Sequence, residues 1–591
     1  MPLADRVATL RSRLQFVYAD RADEALAAIE QQLSPYLHDI AAAPPQPWSE
    51  RDVVLITYAD QVRDDTGAGR TPLAMLRQWL HAHHLRDSLN TVHLLPFCPY
   101  SSDDGFSVID YLAVDPNSGS WDNVAALGDE FDLMFDLVLN HISQHSEWFA
   151  AYRRGEAPFD RYFIEADPAL DYSQVVRPRS LPLLTPVEVA TPAGPEIRHV
   201  WTTFSADQID LNYAEPQLLA AMLRILVEYA RRGARIIRLD AVAFLWKRLG
   251  TTCLHLPETH ELVKLMRDVL AALAPGALVL TETNVPHREN VSYFGSAAPQ
   301  ESGQPEQPGD EAHMVYQFSL PPLLLEAFLS GDATAIVAWL SDLAPPPPGC
   351  TFFNFTASHD GVGVRPLEGL VSPARFEHLI AAVRARGARI NTRRQPDGTD
   401  APYELCIAYF DALAPDEPDA ALHVRRFLAS QAIMLALQGM PAVYFHSLVG
   451  TPNDVAGADS SGIFRRINRR KYGCAELDGL LADDANPQRA VFEQYREMLA
   501  KRVAQPAFHP EGAQRVIEQT AASVMAFERT AVDGSQRILV AVNVGPVVAP
   551  VDRPQGWQCD LVDILSGAEF AAGSVLQLAP GQAVWLRAQV G

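Results

Sequence analysis

Long apolar runs are missing from this chain, and no stretch reaches the roughly 20 residues a membrane-spanning helix needs. Paired cysteines are missing too. The six cysteines, Cys98, Cys253, Cys350, Cys406, Cys474 and Cys559, are scattered with no CxxC among them, which excludes a zinc ribbon or a disulfide framework. Basic charge is scarce: 48 Lys and Arg stand against 72 Asp and Glu, a net charge of −24, so neither a nucleic acid nor an anionic membrane is an expected partner. An acidic surface does not forbid an anionic substrate, because a few local arginines suffice to bind one. The first residues, Met1-Pro2-Leu3-Ala4-Asp5-Arg6, open a charged amphipathic helix and not a signal peptide. What is present, 48% hydrophobic and 20% charged residues, describes an ordinary globular protein, and a cytoplasmic enzyme is the expectation. At 591 residues the chain fits one large barrel with attachments.

Apolar spacing predicts two helices before residue 42, and Ala43-Pro44-Pro45-Gln46-Pro47 breaks the pattern as a linker. An alternation of buried strands and amphipathic helices follows. Strands are expected over Val53–Tyr58, Val92–Pro96, Leu133–Leu139, Arg235–Val242, Ala277–Glu282, Met314–Phe318, Thr351–Phe355 and Pro441–Phe445. Eight such units predict a (β/α)8 barrel. The rhythm stalls twice, over 145–205 and 361–420, where insertions are expected, and Gln300–Asp310 reads as a polar loop. The expected divisions are a helical extension (1–48), barrel segments (49–144, 206–360, 421–506), the two insertions, and an all-β domain of short strands (507–591).

In a parallel barrel the active site lies at the carboxyl ends of the strands. Strand three leads to Asn140-His141, strand four ends with Arg238 and Asp240, strand five with Thr281-Glu282, and strand seven leads to His359-Asp360. Arg238 and Asp240, two residues apart, share one face of a strand. Any one acidic residue there reads better as a solvated loop residue or a helix cap. Three carboxylates at one mouth cost stability through mutual repulsion, so the set points to function. Two carboxyl groups of different protonation suit glycosyl transfer with retention, which needs a nucleophile and an acid about 5–5.5 Å apart. Arg238 is expected to keep Asp240 ionised as nucleophile. The apolar run before Glu282 is expected to raise its pKa for acid/base work, and Asp360 suits a stabiliser of the transition state.

The segments Asp136–His141 (DLVLNH) and Arg238–Val242 (RLDAV), with Glu282 and His359-Asp360, resemble in order the four signature regions of the α-amylase superfamily, glycoside hydrolase family 13. Leu55-Ile56-Thr57-Tyr58, Gly105-Phe106, Arg177-Pro178-Arg179, His359–Val364 and Arg465-Arg466-Ile467-Asn468-Arg469 resemble its sucrose phosphorylase branch. The resemblance implies Asp240 as nucleophile, Glu282 as acid/base and Asp360 as transition-state stabiliser. It places Asp103, Phe106, His141, Arg238, His359 and Arg465 around glucose, Phe244 beside the acceptor, and Arg179 on phosphate, with Tyr403, Glu404 and His287 as further acceptor-side candidates. The reaction implied is transfer of glucose from a small α-glucoside to inorganic phosphate, with no cofactor and no metal, although Asn140 resembles an amylase calcium ligand. Tyr403-Glu404, Arg466 and Arg365-Pro366-Leu367-Glu368-Gly369 depart from sucrose phosphorylases and look more like the glucosylglycerate and glucosylglycerol phosphorylases of the branch. Glucosylglycerate is the favoured glucoside; glucosylglycerol, sucrose, sucrose 6′-phosphate, a hydrolase or transglucosidase, and a catalytically inactive binding barrel are the competing readings. A monomer or homodimer is expected.

Overall fold

The computed structural model describes residues 3–37, 48–179, 181–297, 308–394 and 399–589. The proline-containing segment 43–47 and most of the loop 300–310 lie outside them. Eight strands close a barrel: β1 (Val54–Thr57), β2 (Thr91–Leu94), β3 (Asp132–Val138), β4 (Ala234–Asp240), β5 (Leu278–Thr281), β6 (Met314–Tyr316), β7 (Thr351–Phe355) and β8 (Met440–Tyr444). Each runs parallel to the next, and β8 returns to β1. These strands are apolar almost throughout because helices cover their outer faces, so both faces are shielded from water. The expected (β/α)8 barrel is therefore present, with strand positions within a few residues of those read from the sequence.

The N-terminal helices Leu3–Tyr18 and Ala22–Leu33 pack on the barrel helices Pro257–Leu273 and Pro216–Arg231. Leu10, Leu14, Leu26, Ile29 and Leu33 are buried at spacings of three and four. Arg13 fixes the contact by pairing with Asp268 at 2.6 Å and Glu261 at 3.0 Å.

Two insertions sit over the carboxyl ends of the strands. The first carries a hairpin, Leu184–Thr191 with Gly194–Trp201, and a short strand, Gln208–Asp210, that pairs with His141–Ser143 just past β3. The second is a three-stranded sheet of Val362–Gly363, Asp400–Cys406 and Arg389–Arg394, with the helix Pro373–Ala385. At the C-terminus, alternation assigns the two faces of one sheet. Met525, Phe527, Val540 and Trp585 join the barrel core, while Val524, Ala526, Leu539, Ala541, Val584 and Leu586 form a separate core. Among the described residues no helix is long and apolar enough to cross a membrane.

Candidate active site

The floor of the barrel mouth is a chain of charges running across three strands. The register sets Asp136 of β3 opposite Arg238 of β4, and Val138 opposite Asp240. His93 on β2 meets Asp136 at 2.6 Å, Arg238 donates from Nη1 to Asp136 at 2.5 Å, and the same nitrogen reaches Asp240 at 2.6 Å. Burial favours the neutral acid at Asp136, but His93 and Arg238 outweigh it and hold its pKa below the ordinary carboxylate range. Glu282, just past β5, accepts from the amide of Ala241 at 3.0 Å and lies 3.9 Å from Arg238 Nη2. Ala241 holds φ at +50°, a conformation that strains any residue but glycine, and that turn places its amide against Glu282.

Burial is the largest influence on both Asp240 and Glu282 and pushes both pKa values up; the charge of Glu282 adds to the rise at Asp240, and that of Asp360 to the rise at Glu282. Burial thus opposes the expected hold of Arg238 on an ionised Asp240. Arg238 pulls the other way, but the Asp136 carboxylate on the same guanidinium repels Asp240 and offsets part of that pull. The two carboxyls titrate as a pair. Arg238 is in direct contact with Asp240 and 3.9 Å from Glu282, so a proton held by the pair is favoured on Glu282.

Phe106 stacks on His359, with ring centroids 4.5 Å apart and planes at 7°, and its carbonyl accepts from His141 Nε2 at 2.9 Å. Burial lowers the pKa of both His141 and His359, so both are neutral imidazoles at pH 7. Asp103 and Asp104 both adopt positive φ, at +52° and +48°, which turns one carboxylate to each side of the loop. Asp103 pairs with Arg179 at 3.1 Å, and Asp104 with Arg466 at 2.6 Å and Arg469 at 2.8 Å. Burial favours the neutral acid at Asp103, but Arg179, Arg465 and Arg469 together hold its pKa well below the ordinary range. Asp360 completes the mouth and pairs with Arg465 at 2.6 Å.

Above these groups opens a cleft with about 960 Å³ of empty space between its walls, part of it continuous with solvent. One wall is an edge-to-face pair, Phe204 and Phe244, at 5.5 Å. Arg179 lies 5.7 Å from the Phe204 ring. Tyr403, whose pKa burial pushes up to about 12, faces the same space, as do Arg177, Arg365 and Arg393. Arg365 is paired with Glu289 at 3.3 Å and Arg393 with Glu368 at 2.8 Å. Arg177 has no carboxylate partner among the described residues, and burial alone lowers its pKa.

A family model for the α-amylase catalytic domain matches residues 88–323. A glucosylglycerate phosphorylase of Allomeiothermus silvanus is 43% identical over 580 residues, 98% of each chain. The chain belongs to the phosphorylase branch of the α-amylase superfamily. A glucosylglycerate phosphorylase of Escherichia coli is 42% identical over 91% of this chain and 92% of its own. A sucrose phosphorylase of Agrobacterium vitis is 29% identical over 78% and 89%. Among solved structures, sucrose 6F-phosphate phosphorylase from Thermoanaerobacter thermosaccharolyticum shares the fold, with a TM-score of 0.71 at 22% identity over 90% of this chain and 98% of that one.

In this member of the phosphorylase branch, Asp103, Phe106, His141, Arg179, Asp240, Phe244, Glu282, His359, Asp360, Tyr403 and Arg465 all line the one cleft. Arg238 lies beneath it, only 3% exposed. Two expectations are corrected, for Glu404 and His287. Glu404 does not line the cleft: both its oxygens are turned inward and bound to Arg465, the Gly361 amide and Asn391. His287 packs against Phe352 and Trp339 and is not among the residues that line the cleft. Arg466 turns away to Asp104, in a separate basin with Tyr58 and Lys471. Asn140, the resemblance to a calcium ligand, accepts from the Lys247 ammonium at 2.7 Å, and that ammonium also meets Asp210 at 2.6 Å. Among the described residues no group of three or more His, Cys, Asp or Glu converges as a metal site.

Sequence reasoning passed over Asp136, His93, Phe204 and Arg177 as site residues. Asp136 and Arg177 stood inside quoted motifs. His93 and Phe204 carry no local signal, since only strand register and the folding of the first insertion bring them in.

Proposed function

We propose that this protein is a retaining α-glucoside phosphorylase that moves glucose from glucosylglycerate to inorganic phosphate, giving α-D-glucose 1-phosphate and glycerate. The observation that carries the choice of glycerate is the 43% and 42% identity to two glucosylglycerate phosphorylases along 98% and 91% of the chain. The cleft supports it. Glycerate and phosphate are both anions, and the acceptor side holds Arg177, Arg179, Arg365 and Arg393 in a molecule of net charge −24.

The chemistry follows from the protonation of the acid pair. Asp240, in contact with Arg238, attacks the anomeric carbon as carboxylate. Glu282 gives its proton to the departing glycerate oxygen, and the carbon–oxygen bond breaks as the Asp240 ester forms. Phosphate then enters on the face the glycerate left and forms a new carbon–oxygen bond. Its proton passes to Glu282, and Asp240 leaves as carboxylate, so the configuration is retained. Asp360 balances the positive charge that develops on the sugar ring. Asp103, His141, His359 and Arg465 are placed to hold the glucose hydroxyls, and Phe106 its apolar face. Phe244 lines the acceptor side, where Arg179 offers phosphate a two-nitrogen fork and Tyr403 a hydroxyl. Side chains and phosphate account for every proton and electron pair, so the reaction as proposed calls for no cofactor.

The test runs the reaction backwards. Glucose 1-phosphate is offered with glycerate, glycerol, fructose or fructose 6-phosphate, and phosphate release is followed. Glycerate should give the fastest release; fructose or glycerol ahead of it would overturn the choice of acceptor.

A further inference from the structure

Glu404 is 2% exposed, and its surroundings describe a tie from the second insertion to the catalytic mouth. It sits in the strand Asp400–Cys406, opposite Gly363 on one side and Asn391 on the other. Its Oε1 accepts from Arg465 Nη2 at 2.8 Å and from the Gly361 amide at 2.9 Å. Its Oε2 accepts from Arg465 Nε at 3.1 Å and from Asn391 Nδ2 at 2.9 Å. Both oxygens are thus occupied within the protein. Arg465 in turn spends its third nitrogen, Nη1, on Asp360 at 2.6 Å. Gly361, whose amide Glu404 holds, is the residue directly after Asp360. A Cβ there would stand 2.6 Å from Glu404 Cγ, so only glycine permits this approach. The Asp360 carboxylate is therefore held from both ends, by a guanidinium at its oxygen and by its own backbone, and both holds lead to Glu404.

We propose that Glu404 is a positioning residue for Asp360, acting through Arg465 and the Gly361 amide, and that it makes no contact with the acceptor. The inference rests on the reading of Asp360 as the transition-state group of a glucosyl transfer. A bidentate carboxylate–guanidinium fork fixes Arg465 in one plane. An amide at position 404 keeps the shape but presents one acceptor oxygen where two are used, and it leaves the Arg465 charge without one of its partners.

The experiment compares Glu404→Gln with wild type in two reactions of glucose 1-phosphate: arsenate-driven breakdown to glucose, which involves no glycerate, and transfer to glycerate. Misplacement of Asp360 slows both by about the same factor, in the range of 10–100-fold in kcat. The KM for glycerate stays within about twofold of wild type. Unchanged arsenolysis with a raised KM for glycerate would overturn the proposal and return Glu404 to the acceptor site. If Glu404→Gln does not fold, the comparison moves to Arg465→Gln against the Glu404→Gln/Arg465→Gln double variant, in which neither buried charge stands alone. A glycerate KM that is the same in the two variants supports the tie, and a glycerate KM raised further in the double variant overturns it and returns Glu404 to the acceptor site. Wild-type protein that neither consumes glucose 1-phosphate with arsenate nor transfers from it would instead contradict the parent reading.

Discussion

Arg238 touches two carboxylates and lies within 4 Å of a third, so its single charge organises the floor of the cleft. Replacing Asp240 with Asn keeps the shape and removes the nucleophile; turnover should fall by about four orders of magnitude or more while circular dichroism and Tm stay near wild type. Glu282→Gln should cost about 10²–10⁴ in kcat, the usual worth of a general acid. The same variant makes a stability prediction. A carboxyl whose pKa is raised by folding holds its proton in the native state after the unfolded chain has lost it, so the native state loses stability as pH rises from the ordinary carboxylate range to the raised value. Below that range both states are protonated and the term vanishes. Glu282→Gln should therefore have a higher Tm relative to wild type at pH 8 than at pH 4, by differential scanning calorimetry; a difference independent of pH would contradict the assignment. At this scale the sequence was legible where two residues share one strand face, as Arg238 and Asp240 do. Asp136 was not, because its role depends on the register between β3 and β4. Glu404 was misread because adjacency to Tyr403 says which loop it occupies and not that successive strand residues point to opposite faces.

The elements that matter beyond the barrel are the two insertions, which bring Arg177, Arg179, Phe204, Arg393 and Tyr403 to the cleft. The first is anchored where Gln208–Asp210 pairs with His141–Ser143, and Lys247, from the turn after β4, bridges Asn140 and Asp210 at the base of that joint. Asp210 has no exposed surface. Lys247→Met would leave it buried without its cation, and removing one member of a buried pair costs about 3–5 kcal/mol. Urea unfolding should show that loss, and a variant as stable as wild type would mean the bridge contributes nothing. On the wall itself, Arg177 is the guanidinium without a carboxylate partner among the described residues. Arg177→Ala should raise the KM for glycerate about tenfold or more while leaving that for the uncharged acceptor glycerol nearly unchanged, since a hydrogen bond to a charged group contributes about 1.5–3 kcal/mol. Barrel strands were legible as elements because continuous apolar runs admit few alternatives. The insertions were legible only as interruptions, since their short half-exposed strands carry no period strong enough to read.

At the scale of the whole molecule, an acidic protein gathers Arg177, Arg179, Arg365 and Arg393 on one cleft, and the barrel and its two insertions fix them in place. The helical layer at the N-terminus and the C-terminal sheet pack on the outside of the barrel and line none of the cleft. Their contribution is to cover apolar helices and leave the mouth to the loops. In the proposed mechanism glucose leaves Asp240 for phosphate and not for water. That step is tested most directly by giving the enzyme glucosylglycerate with and without phosphate and following the sugar product by NMR. α-Glucose 1-phosphate is expected, formed only when phosphate is present; free glucose released as fast without phosphate, or a β-phosphate product, would rule out transfer to phosphate with retention.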